Sequence, residues 1–232
     1  MTNAANCLNL LGDGDDADML RAIEDAFGVK ISAPEALRCE TVGQLFDIIS
    51  SKLSISDARH LRCPTALAFF RLRAALRRLG YLERMTHETD LRTIFRAHGA
   101  RRLHISLSRE ANLRLPGLDL HSVTVAVFAL ITACGVALSL CSDSWLPFLG
   151  SAVLAVILGS VLPRTIPQRT ASLGDFAAEC AAWNYGRLSE QAGGARRRDV
   201  WKAVTTIVRD GSGTGFMGEI NYETRFFGKR ST

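Results

Sequence analysis

The hydrophobic pattern divides the chain into amphipathic flanks and an apolar centre. From Ser122 to Leu162 nearly every position is apolar, and the run is broken once, at Cys141-Ser142-Asp143-Ser144-Trp145. The first arm, Ser122 to Cys141, is about 20 residues without a charge, enough to cross a ~30 Å hydrocarbon core at ~1.5 Å per residue. The second, Leu146 to Leu162, is about 17 residues, the lower limit of a span. The pattern predicts a two-helix transmembrane hairpin within residues 119–166. Arg101, Arg102, Arg109 and Arg114 precede it, Arg164 and Arg169 follow it, and the turn carries only Asp143. Positive flanks predict an inner-membrane location with both termini cytoplasmic.

The flanks show the 3.6-residue period of helices that bury one face. Met19, Leu20, Ile23, Ala26 and Phe27 form one stripe, with Asp16 or Asp18 as the expected cap and Gly28 as the stop. Ser32-Ala-Pro-Glu35 and Thr41-Val-Gly-Gln44 are capping-box patterns, the second opening a helix with Val42, Leu45, Phe46, Ile49 and Leu53 on one side. Further helices are predicted over about 65–79, 101–113, 172–188 and 198–209. Met85 to Leu91 and Glu219 to Phe227 read as extended segments, and Gln191-Ala-Gly-Gly194 as a linker. Gly211 to Gly215 reads as a turn, because it follows a helix rather than a strand. The fold class is therefore all-α.

Charge separates these elements. Residues 1–53 carry nine acidic against four basic residues, whereas residues 59–114 carry thirteen arginines against four acids. Such a split suggests modules with different partners. Arg101, Arg102, Arg109 and Arg114 are expected to face anionic lipid headgroups of the bilayer. The acidic N-terminal module would suit a basic protein. A nucleic-acid partner is not expected, since no zinc-finger spacing is present and no aromatics alternate with the arginines. Six cysteines and five histidines are scattered without metal-ligand or nucleophile–base spacing. No catalytic, metal-binding or cofactor-binding residue is predicted, and no enzymatic role.

One resemblance is specific enough to shape the reading. Asp18 to Ile31, then Pro34-Glu35, then Thr41 to Ile49 resembles the second, third and fourth helices of acyl carrier proteins. The resemblance covers about 40 residues. It implies a small helical bundle, and in that family a 4′-phosphopantetheine arm on a Ser within Asp-Ser-Leu at the start of the second helix. Here the corresponding position falls at or next to Asp13, and residues 13–18 contain no Ser. The resemblance therefore implies a degenerate module without a cofactor arm. Echoes occur elsewhere. Phe69 to Gly80 with Thr86 to Leu91, and Val200 to Val208 with Ile220 to Phe226, each look like a carrier's first helix and following loop. Ser172-Leu-Gly-Asp-Phe-Ala177 parallels Thr41-Val-Gly-Gln-Leu-Phe46. In the middle region the serine position falls near Gly99, with Ser106 a poor substitute.

These fragments predict an assembly. Residues 1–56 form acidic carrier-like helices and 57–118 basic ones. The hairpin occupies 119–166, 167–194 completes the second bundle, and 195–232 packs on 1–56. Trp201, Val204, Ile207 and Val208 would then meet Leu20, Ile23, Phe27, Phe46 and Ile49, giving a circularly permuted bundle. The expected role is a membrane-anchored, non-catalytic binding or scaffold protein. The alternatives are an accessory acyl or peptidyl carrier or regulator in lipid or polyketide metabolism, and a small oligomeric pore-forming protein. A two-span hairpin is also compatible with a homo-oligomer.

Overall fold

The first and last helices of the chain meet in one bundle. The computed structural model describes residues 6–8, 10, 14–56, 61–81, 84–120, 122–142, 144–161, 164–212 and 218–228. These residues form eleven α-helices and one two-residue β-ladder, so the protein is mostly helical. Helices α1 (Asp15–Phe27), α2 (Ala33–Leu37) and α3 (Val42–Lys52) lie at the start of the chain. Helices α4 (Pro64–Arg78), α5 (Leu91–His98) and α6 (Ala100–Ala111) follow. Strands β1 (Asp119–Leu120) and β2 (Arg164–Thr165) pair antiparallel at the root of a hairpin made by α7 (Ser122–Ser142) and α8 (Leu146–Val161). Helices α9 (Leu173–Trp183), α10 (Tyr185–Ala192) and α11 (Arg197–Gly211) complete the fold.

Two apolar cores organise these elements. The first gathers Ile23 and Phe27 of α1, Val42, Leu45, Phe46 and Ile49 of α3, and Val200, Val204, Ile207 and Val208 of α11. Trp201 packs at its edge, 5.3 Å from Phe46 in an edge-to-face arrangement. The second gathers Leu72 and Leu76 of α4, Leu91 and Phe95 of α5, Leu103 and Leu107 of α6, and Leu173, Phe176 and Cys180 of α9. Each large side chain buried in this way contributes roughly 1.5–3 kcal/mol. Helices α9 and α10 serve both cores. Ala181 and Leu188 belong to the second, while Ala182 and Tyr185 belong to the first, with Tyr185 5.3 Å from Phe27. α9 therefore buries residues around most of its circumference, Glu179 among them.

The two cores repeat one local device. In the first, Val42 and Gly43 donate backbone hydrogen bonds to the carbonyls of Thr224 and Tyr222, at 2.9 and 3.1 Å. In the second, Leu173 and Gly174 donate to Thr89 and His87, at 2.9 and 2.8 Å. Within each loop a threonine hydroxyl accepts the N–H three residues earlier, Asn221 to Thr224 and Thr86 to Thr89. The receiving helices open on equivalent caps, Thr41 and Ser172. Glycine is needed at Gly43 and Gly174. A Cβ there would stand 2.5 Å from the Tyr222 ring or 3.0 Å from the His87 carbonyl oxygen. The chain order differs between the copies. The C-terminal loop reaches α3 from the far end of the sequence, and the N-terminal arm lies beside it, with Leu8 N–H donating to Arg225 at 2.8 Å.

The apolar hairpin corrects one expectation. Among the described residues, no helix is long and apolar enough to cross a membrane. The transmembrane hairpin, and with it an inner-membrane location with both termini cytoplasmic, is not supported. The second arm is too short. Helix α8 has 16 residues, about 24 Å at ~1.5 Å per residue, short of the ~30 Å core. Asp143, expected at the outward turn, lies outside the described residues.

Local differences from the sequence pattern have local causes. α1 is capped by Gly14 without a side-chain hydrogen bond, rather than by Asp16 or Asp18. The single helix expected over 172–188 is two. It breaks at Asn184, whose side chain is drawn away to bind the backbone at Arg114 and Cys180. The extended segment 85–91 leads into α5, which the sequence pattern did not separate; Asp90 caps it by accepting from Arg92 N–H at 2.9 Å. Gly213 to Gly215, read as part of a turn, lie outside the described residues.

Candidate functional site: the groove between the bundles

Helices α1 and α6 end at the same place. α1 terminates at Phe27-Gly28 and α6 at Ala111-Asn112, where Asn112 takes the left-handed conformation at φ 50°. Between these ends and the start of α10 lies an open groove of about 820 Å³. Helix C-termini carry unpaired carbonyls and partial negative charge, so cations belong there. Two are present. Arg187 donates to the Asn112 carbonyl and, at 3.3 Å, to the Asn112 side-chain oxygen. Arg114 holds its guanidinium 4.7 Å above the Trp183 ring and 3.5 Å from Asp25.

A buried amide fixes this geometry. Asn184 accepts from Arg114 N–H at 2.9 Å and donates to the Arg114 carbonyl at 2.8 Å and the Cys180 carbonyl at 2.7 Å. The floor is set by Gly186, which brings α10 directly onto the last turn of α1. A Cβ there would stand 2.5 Å from the Phe27 carbonyl carbon and closer still to its oxygen. One donor of a groove-lining residue is unused: the Trp183 indole N–H is buried and has no hydrogen-bond partner. A buried donor without an acceptor costs about 1–3 kcal/mol.

A second polar cluster joins the bundles on another side. Arg169 pairs with Glu179 of α9 at 3.0 Å and with Asp210 of α11. Glu179 is only 6% exposed. Its Oε1 makes the ion pair without the alignment of a hydrogen bond. Burial raises the Glu179 carboxyl above its ordinary pKa. Arg169 opposes the shift, and Asp210 and Asp119 add to it.

The residues singled out by sequence separate in space. Arg114 lines the groove, whereas Arg101, Arg102 and Arg109 sit on the exposed face of α6. Four acids of the acidic module are paired within the chain: Glu24 with Lys30, Glu35 with Lys52, Asp47 with Arg197, and Asp25 with Arg114. Asp13, expected from the resemblance to stand where a carrier has its serine, lies outside the described residues, as do His60 and His121. Ser106 is exposed on α6, away from the groove lining. His104 Nε2 lies 2.9 Å from the Pro116 carbonyl. Among the described residues, no group of three or more His, Cys, Asp or Glu could hold a metal ion.

Trp183, Asn184 and Arg187 were not legible as site residues. Each falls in a helical pattern where a half-buried aromatic and scattered polar residues are ordinary. Compared with protein-family models, characterised proteins and solved structures, the chain matches none.

Proposed function

We propose that the protein is a non-catalytic binding or scaffold protein built from two fused carrier-like bundles, and that its partner docks in the groove between them. The observation that carries this reading is the Trp183 indole N–H, buried and unused beside Arg114 and Arg187. Arg114 and Arg187 both line the groove, and guanidinium groups match carboxylates best. The partner of this reading is therefore an acidic peptide segment. The carrier-like character is supported by the repeated loop-and-cap device at Thr41 and Ser172 and by the resemblance of residues 18–49.

The test is fluorescence anisotropy of a fluorescein-labelled hexaglutamate peptide titrated with the full chain. Saturable binding is expected. Trp183→Phe keeps the ring and removes the donor, and Arg114→Gln removes the charge. Each should weaken binding about tenfold, the scale of one lost charge-assisted or desolvated hydrogen bond, with the helical signal unchanged. No binding by the unmodified protein, or equal binding by both variants, overturns the reading.

A second reading, an accessory carrier, rests on the exposed hydroxyl of Ser106. Coexpression with a broad-specificity phosphopantetheinyl transferase decides it. A mass increase of the phosphopantetheine size on any Ser would replace the binding reading with the carrier one.

A further inference from the structure

The hairpin α7–α8 has a used face and a bare one. On α7, Phe128, Ile131, Gly135 and Ser139 recur at helical spacing and are the less exposed positions. Gly135 is buried against Ser151, where a Cβ would stand 2.5 Å from the Ser151 Cβ, and Ser139 Oγ accepts from Phe148 N–H at 3.0 Å. This face is the seam with α8. Leu130, Cys134, Leu138 and Cys141 recur with the same period on another face and are exposed, Leu130 at 65% and Leu138 at 59%. On α8, Val153, Val156 and Ile157 are exposed as well.

This surface needs a cover. A helix that is apolar all round is not stable against water. About a dozen large apolar side chains of the hairpin are at least two-fifths exposed. At roughly 100 Å² each they leave on the order of 1,000 Å² of bare apolar surface, above the several hundred Å² of an ordinary monomer. About half of it on one side of each of two hairpins would bury on the order of 1,000 Å² in total, the lower bound of a specific interface. The occupant must be helical, apolar and without charge at the contact, because the described residues of both arms offer no ionisable group except two thiols. Among the described residues, the surface of this chain that fits is the hairpin itself.

We propose that the Leu130–Cys134–Leu138–Cys141 face docks on the same face of a second copy, so that two hairpins form a four-helix bundle. A two-fold axis makes such a contact self-complementary. An axis along the hairpin brings like cysteines together, and an axis across it brings Cys134 to the partner's Cys141. In either case native thiols meet at the interface.

The experiment uses the full chain in aqueous buffer. Light scattering behind size exclusion should give twice the 25.3 kDa chain mass. Mild copper–phenanthroline oxidation should give a disulfide-linked dimer, mapped by mass spectrometry to Cys134 and Cys141. The double variant Cys134→Ser/Cys141→Ser should lose the cross-link and keep the dimer mass. Leu138→Glu places a charge on the face and should give a monomer with unchanged helical signal and melting of the two bundles, since Leu138 belongs to neither core. A monomeric unmodified chain overturns the proposal. So does a dimer that survives Leu138→Glu without cross-linking through these thiols. Monomers that float with phosphatidylcholine vesicles and do not cross-link also overturn it, because lipid would then be the cover.

Discussion

Gly186→Ala tests whether the two bundles are one packed body. Gly186 lies inside α10, where alanine is intrinsically favoured over glycine by about 0.5–1 kcal/mol. An isolated α10 would therefore be stabilised. In this structure the added methyl would stand 2.5 Å from the Phe27 carbonyl carbon and 3.1 Å from Gly28 N. Both are backbone atoms at the end of α1 and cannot rotate away as a side chain could. The helices must separate by about an ångström, and overpacking of this kind costs ~1–3 kcal/mol. The balance is a net loss of about 0.5–2 kcal/mol, or roughly 2–6 °C in melting temperature for a chain of this size. Differential scanning calorimetry reads the shift, and hydrogen exchange places it at the end of α1 and the start of α10. Gly117→Ala is the control, because nothing lies within 4 Å of its added Cβ. It should leave stability unchanged or slightly raised. A rise in melting temperature for Gly186→Ala, matching the control, would refute the close seating of α10 on α1.

Two further predictions concern charge and caps. Burial holds the Glu179 carboxyl above its ordinary 4.5, so the ionised form weakens the fold. That penalty is complete above the folded-state pKa and vanishes as pH falls to about 4.5. Glu179→Gln should melt above the unmodified protein near neutral pH, with the difference closing toward about pH 4; a lower melting temperature at neutral pH would show that the Arg169 pair outweighs burial. Thr41→Ala and Ser172→Ala should each cost about 1 kcal/mol in urea unfolding, because each hydroxyl accepts a backbone N–H at a helix start. A loss at only one of them would break the equivalence of the two loop-and-cap devices.

Much of the helical skeleton is legible in local pattern. The stripes at Met19 to Phe27, Val42 to Leu53 and Val200 to Val208 announce helices because each period of 3.6 buries one side and exposes the other. Thr41 and Ser172 announce helix starts because a hydroxyl there satisfies an otherwise unpaired N–H. Composition alone marks the hairpin as apolar on all sides. Length misleads there: α8 has 16 residues, about 24 Å at ~1.5 Å each, short of the ~30 Å core.

The groove and the buried cluster could not be read in this way. Asn184 breaks a helical pattern because its amide finds Arg114, some 70 positions earlier. Nothing near Asn184 in sequence signals that encounter. Gly186 is an ordinary helical glycine until the end of α1 lies against it. Glu179 is an ordinary helical acid until α9 is buried between two cores. The amino-acid pattern by itself determines which segments become helices and which side of each is apolar, because those depend on neighbours within one or two turns. Only the tertiary structure decides which apolar sides meet, and therefore which donors are left unpaired and which carboxylates lose their water. Those choices depend on burial shared between residues far apart in the chain, where the first and last helices close one core and α9 closes both.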